Sequence, residues 1–335
     1  MKAVPWRALR QFGPWRALRV GSEPWSARPQ AGAHVQAAPS AWLRAGAVHG
    51  ARALASAAGG GDAHVQIRAA HEATRAAMSG GDYAGARASA ERAVELCRAE
   101  TGGRHPALAS ALNNLALAHK ALGEHTHALP LYRESVRVYA ESLGAHHASS
   151  LTARHNLALA LRQAGQHAEA LAELETVVRE REIVLGAEHA DVALSRHNLG
   201  SLLRERGELE KARSLLDAAV EALEAAHGAD DLRTANAFNS LALLHKDAGD
   251  LRAAHRLLLR AAKPRVRQLG MAHPDSAATL HCLAELARLQ GDEQRALSIQ
   301  RDLLTALREA GVTPSDELLA AAGASHPPAA DAPKP

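Results

Sequence analysis

The sequence predicts an all-α protein built as an α-solenoid of about six helical hairpins, and three observations predict it. The body repeats with a strict period of 42 residues: Gly81, Gly123, Gly165, Gly207, Gly249 and Gly291 form one column. Ala86, Ala128, Ala170, Ala212, Ala254 and Ala296 form a second column, and Leu115, Leu157, Leu199, Leu241 and Leu283 a third. Within each unit the apolar spacing is helical, and a fixed period with helical spacing inside it marks a repeat array rather than a single globular core.

Each unit reads as two helices. LNNLALAHKALG at 112–123 is the end of an amphipathic helix A, and a second amphipathic run, helix B, extends from Thr126 to Leu143. Gly123 and its equivalents are expected to close helix A, because a left-handed residue carries little steric cost for glycine. The alanine five residues later is small enough to let helix B approach closely. Leu-Gly or His-Gly at 143–144, 185–186, 227–228 and 269–270 is expected to end helix B in the same way, and Pro264 inside one helix B to kink or shorten it. In the segment TPSDELLAAAG at 313–323, Ser315 offers an N-cap for a short covering helix, ahead of a Pro-rich end.

The unit HPALASALNNLALAHKALGEHTHALPLYRESVRVYAESLG at 105–144 resembles a tetratricopeptide repeat of the kinesin light chain type, whose units run 42 residues. Leu112, Leu115, Ala116, Gly123, Ala128 and Tyr132 carry the resemblance. The His-Pro opener recurs at His105-Pro106 and His273-Pro274; His147 and His189 keep the histidine alone, and Asp231 replaces both residues. The likeness covers residues 105–311 as five units and 62–104 loosely, as a degenerate first unit with Ala73 in the leucine column. Residues 312–335 hold the covering helix and tail. The resemblance implies a right-handed superhelix with a continuous Ala/Leu core and a concave groove lined by the A helices. It carries no motor role, because the heptad coiled coil of a kinesin light chain is missing.

The groove columns are therefore the candidate site. Before the leucine column run Glu72, Asn114, Asn156, Asn198, Ser240 and Cys282; the resemblance implies that asparagine here holds the main chain of a bound peptide. Asparagine is a mediocre helix residue, about half a kcal/mol worse than alanine, so three in register want a reason. A hydrogen bond to the neighbouring hairpin is the alternative reason. One residue earlier come His71, Asn113, His155, His197, Asn239 and His281. Seven residues after these come Lys120, Arg162, Arg204, Lys246 and Arg288. That basic ladder suits a carboxylate-bearing or phosphorylated peptide, and equally suits the negative end of the helix dipole in the last turn of helix A.

Charge divides the chain. Residues 1–61 hold seven Arg, one Lys and the single acid Glu23, together with all four tryptophans, Trp6, Trp15, Trp25 and Trp42. Residues 62–335 hold 31 basic and 35 acidic residues, so the overall charge of +3 is no sign that the body binds nucleic acid. The leader says PWRALR twice, and its Arg-rich, acid-poor composition with Arg52-Ala53-Leu54 before Ala55-Ser56 reads as a mitochondrial presequence. A cytoplasmic protein with a basic tail is the alternative. No apolar run is long enough for a membrane span.

No phosphate loop, two-cysteine zinc pair or H-E-x-x-H motif is present, and neither catalysis nor a cofactor is expected. His125 with His127, and His146 with His147, offer only adventitious metal contacts. Cys97 and Cys282 lie too many units apart for a disulfide. The function expected is a non-enzymatic scaffold or adaptor for a partner peptide. The alternative is an organellar RNA-binding helical-repeat protein, opposed by the 42-residue period, the acidic body and the scarcity of aromatics for base stacking.

Overall fold

A computed structural model describes residues 62–323; the Arg-rich leader, with Arg52-Ala53-Leu54, and the Pro-rich end lie outside the described residues. These residues fall into two compact units, one running to Ala226 and the other starting at His227. The first holds α1 (Asp62–Gly80), α2 (Tyr83–Thr101), α3 (Pro106–Ala121), α4 (His125–Leu143), α5 (Ala148–Gln163), α6 (His167–Leu185), α7 (Ala190–Glu205) and α8 (Leu209–His227). The second holds α9 (Leu232–Asp247), α10 (Leu251–Leu269), α11 (Pro274–Leu289), α12 (Glu293–Glu309) and α13 (Asp316–Ala321). No strand occurs among the described residues. The fold is an all-α solenoid of consecutive helical hairpins.

The period seen in the sequence is a period of caps. Helices α3, α5, α7 and α11 begin after a histidine whose Nδ1 accepts from the backbone N–H of the helix's second residue, at 3.1 Å for His105, His147 and His189 and 3.2 Å for His273. Asp231 does the same for α9 at 2.8 Å, which explains how an acid can replace the opener: both groups offer an acceptor to an orphan donor. Gly123 and its equivalents end each A helix with φ near +80°, the left-handed conformation expected of them. The glycines after the B helices differ from expectation. Gly144, Gly186 and Gly270 combine positive φ with ψ of 153°, 152° and 164°, so the chain leaves helix B extended instead of turning back through a left-handed helical residue.

Packing is sequential. In the first unit α1 packs on α2, α2 on α3, and so on to α6 on α7; in the second, α9 through α13 follow the same rule. The alanine column is buried throughout, as is the leucine column from Leu115 to Leu283. Gly200 takes the place that alanine holds at 116, 158, 242 and 284. A Cβ there would lie 2.8 Å from Leu216 Cγ and 3.2 Å from the carbonyl oxygen of Ala212, so α7 and α8 approach more closely than a methyl allows.

One expectation about the helices is corrected. Pro264 does not shorten its helix: α10 runs 19 residues, the same as α2, α4, α6 and α8. Pro130 sits inside α4 with equally little effect on its length. The ends of α10 are set by the Asp250 cap and Gly270, and Pro264 is itself buried, so cap and packing together outweigh the local cost of the missing N–H. At the far end Ser315 accepts from Leu318 N and caps α13, whose Leu318 and Leu319 are buried.

Candidate functional site

The two polar columns of the A helices interlock from one repeat to the next. Asn156 Nδ2 donates to Asn113 Oδ1 at 2.9 Å, and Asn198 Nδ2 donates to His155 Nε2 at 3.0 Å, each reaching back 43 residues. Asn113, Asn114 and Asn156 are buried, and Asn198 and His197 half-buried. The hydrogen bond between hairpins is thus present at two of the three asparagines. It joins the Asn column of one repeat to the His/Asn column before it.

His155 is the hub of this network and is only 1% exposed. Because Nε2 accepts from Asn198, the ring proton belongs on Nδ1, which faces Ser195 Oγ at 3.5 Å. Burial, reinforced by the charges of Arg181, His197 and Lys120, holds the imidazole well below its ordinary pKa, so it stays neutral and the tautomer is consistent. Ser195 Oγ in turn donates to the Asp191 carbonyl at 2.9 Å and accepts from Arg181 Nη1 at 2.8 Å.

Arg181 was not legible as a site residue, yet it anchors this layer at 2% exposure. Its guanidinium also donates to the Asp191 carbonyl and to Thr152 Oγ1, both at 3.1 Å. Burial pulls its pKa down to about 10, with Asp191 opposing the fall. A cavity of about 170 Å³ adjoins it, lined also by Asn113, Ser149 and Thr152.

Two repeats on, in the second unit, the pattern recurs. Arg265 donates to the Asp275 carbonyl at 3.1 Å, to Thr279 Oγ1, and to Asn236 Oδ1 at 2.6 Å. Asn239 faces Thr279 at 3.5 Å as His155 faces Ser195. The signal that could have revealed both arginines is a cation in an otherwise apolar column, with a hydroxyl residue fourteen positions later.

The basic ladder is largely met by acids from the following helices. Arg162 forms a two-pronged pair with Glu205, with Nε to Oε2 at 3.0 Å. Lys246 Nζ donates to Glu285 Oε2 at 2.8 Å, and Glu285, held by His281 and then by Lys246, falls to a pKa of about 2. Burial works against the Lys246 charge, but Glu285 more than offsets it and the pKa is raised. Arg288 reaches Gln300, the Ala321 carbonyl at 3.1 Å and Glu293 at 3.4 Å, tying α13 to the stack. Arg204 is half-buried. Lys120 is different. Burial first, and the neighbouring Arg162 charge second, depress its pKa.

Among the described residues no helix is long and apolar enough to cross a membrane. Cys97 is a buried thiol, pushed up to about 12 by burial, and Cys282 is half-buried. No curated protein sequence matches the chain. Among solved structures it is similar to the kinesin light chain nearly identical TPR-like repeats of Podosopora anserina, at 25% identity over 60% of this chain and 95% of that one, with a TM-score of 0.51. Two others share the fold: BtubC (BKLC) of P. vanneervenii, at 20% identity, 76% and 95% coverage and TM-score 0.55, and PilW, a type IV pilus biogenesis factor, at 19%, 77% and 97%, and 0.55. The sequence profile of the tetratricopeptide repeat matches four overlapping stretches, 66–141, 108–179, 149–225 and 191–263. With more than half its length matched in the register its caps and columns define, the chain belongs to the tetratricopeptide repeat family.

Proposed function

We propose that this chain is a non-enzymatic scaffold that holds an acidic or phosphorylated partner segment along its A helices, anchored at Lys120. Tetratricopeptide arrays are in general protein–protein interaction scaffolds, and of the polar columns His197 and Asn198 are half-buried, while Asn113, Asn114, His155 and Asn156 are buried between the repeats. The observation that carries the reading is Lys120. It is a half-buried ammonium beside a second cation, and no hydrogen bond or ion pair joins it to the described residues. Such a charge is costly in isolation and is relieved by an incoming carboxylate or phosphate.

The test is calorimetric titration of the full chain with a peptide recovered by proximity labelling, using Lys120→Gln. Loss of at least tenfold in affinity with thermal stability kept or raised supports the reading, since removing a desolvated cation leaves no partner behind. Unchanged affinity removes Lys120 from the site. Retention of RNA that falls steeply with salt would favour the RNA-binding alternative instead. We also propose mitochondrial import through residues 1–61. A reporter fused to them should enter mitochondria and should fail to do so with Arg7, Arg10, Arg16 and Arg19 changed to Glu; diffuse signal from the unaltered leader rejects this.

A further inference from the structure

The turn between α3 and α4 brings three chemically matched side chains together. His119 lies in the last turn of α3, Glu124 is the N-cap position of α4, and His127 stands in its first turn. One potential ligand atom from each lies within 4.8 Å of the others. His119 Nδ1 and Glu124 Oε2 are 2.5 Å apart, and the two imidazole rings stack with centroids 5.5 Å apart at 29°.

The backbone locks this arrangement: Glu124 N donates to the His119 carbonyl at 2.9 Å and His127 N to the Glu124 carbonyl at 3.1 Å. At the equivalent turns Asp82, Asp250 and Asp292 cap their own helices through the side chain. Glu124 makes no such bond. One methylene longer, it reaches back to His119 with Oε2, while Arg87 Nη1 donates to Oε1 at 3.1 Å and, more weakly, to Oε2 at 3.4 Å. The carboxylate is thereby oriented by one cation, whose shorter contact is to Oε1, and presents Oε2 to His119.

We propose that His119, Glu124 and His127 form a binding site for a divalent transition-metal ion of borderline softness, for which Zn²⁺ is the probe. Two imidazoles and one carboxylate are a donor set such ions accept, at about 2.0–2.2 Å per bond. The ion takes the place of the proton shared by His119 and Glu124, and the exposed His127 closes the third position by a small side-chain rotation. Arg87 keeps its shorter contact, the one to Oε1, as second partners of metal-bound carboxylates commonly do. Three protein ligands leave a fourth position open to solvent. The ion would clasp the end of α3 to the start of α4, and the repeat sequence confines it to this turn, since only here are both histidines present.

The experiment is calorimetric titration of the full chain with Zn²⁺, comparing wild type with His127→Ala, His127→Asp and Glu124→Gln. His127 is exposed, so its replacement leaves the fold intact, which circular dichroism verifies. One equivalent of Zn²⁺ should bind wild type, tenfold or more weakly after His127→Ala or Glu124→Gln, with His127→Asp restoring most of the loss. Wild type that binds no Zn²⁺, or His127→Ala that binds it as tightly as wild type, overturns the site; the latter result would move the ion to other histidines.

Discussion

One core column of the B helices reads Cys97, Tyr139, Arg181, Leu223, Arg265 and Leu307, and its apolar and cationic members sit in the same frame. The difference between them lies in what the neighbouring columns supply. Fourteen residues after Arg181 and Arg265 stand Ser195 and Thr279, and 29 residues before them Thr152 and Asn236, and these groups accept from the guanidinium. At the same offsets from Cys97 are Ala111 and Arg68, and from Leu307 are Ala321 and Ala278. Tyr139 is intermediate, with Ala153 at one offset and a hydrogen bond to Ser110 at the other. A repeat period therefore dictates where a side chain goes, while the neighbours decide whether a charge can stay there.

The strongest way to break this comparison is to put the cation where its acceptors are absent. Cys97→Arg buries a guanidinium against Ala111 and near the Arg68 position, and should cost about 4 kcal/mol or more; chemical denaturation followed by helicity measures it. A cost below about 1 kcal/mol would mean that the acceptors are dispensable. Next in size, Arg181→Ala should cost about 2–4 kcal/mol, through a cavity and the loss of three hydrogen bonds. The full exchange Arg181→Leu with Thr152→Leu and Ser195→Ala copies the residues found one repeat later, and should lie within about 1 kcal/mol of wild type, since apolar replacement of a whole buried polar set is commonly neutral.

Acid sharpens the contrast between the two units. Burial depresses His155 well below its ordinary value and His71 to about 4 in the first unit, and His255 to about 4 in the second. A base whose folded pKa is depressed binds fewer protons when folded than when unfolded, so stability falls as pH drops below about 6.5 toward the folded pKa. Each such group contributes a slope of up to roughly 1.4 kcal/mol per pH unit in that window. Hydrogen exchange at pH 7 and pH 5 should show protection falling more in the first unit, and His155→Asn should flatten its dependence. Equal loss in both units would assign the acid sensitivity elsewhere.

The smallest effect concerns Gly200. Alanine there gains about 1 kcal/mol in helix propensity but forces Leu216 and the close α7–α8 approach apart, an overpacking cost of about 1–3 kcal/mol. Gly200→Ala should therefore lower the melting temperature slightly, with a net loss of about 1 kcal/mol; a rise would show that Leu216 can move freely.

Much of the architecture was legible because it is written in residues that cap or fill. The Gly, Ala and Leu columns act locally, through backbone conformation and side-chain volume, so their spacing determined the hairpins and the 42-residue register, and the residues of the unit at 105–144 carried the family resemblance. The histidine openers were legible as turn residues, though the caps that they make were not. The candidate face was visible as columns of Asn113, Asn114, His155, Asn156 and the basic ladder.

What those columns touch was decided by tertiary structure. Asn156 finds Asn113 and Asn198 finds His155 from 43 residues away, and Arg162 finds Glu205 at the same separation. Hydrogen bonds and ion pairs of that range depend on how one hairpin stacks on the next, which no local pattern specifies. The buried arginines show the same limit, since an isolated Arg181 reads as a surface residue until its distant acceptors are placed around it. Pro264 is the converse case: local sequence argued for a kink or a shortened helix, and caps with burial kept α10 at its full length. Sequence determined what is short in range and periodic; the fold decided which polar groups are buried together, because desolvation and pairing are properties of the packed neighbourhood.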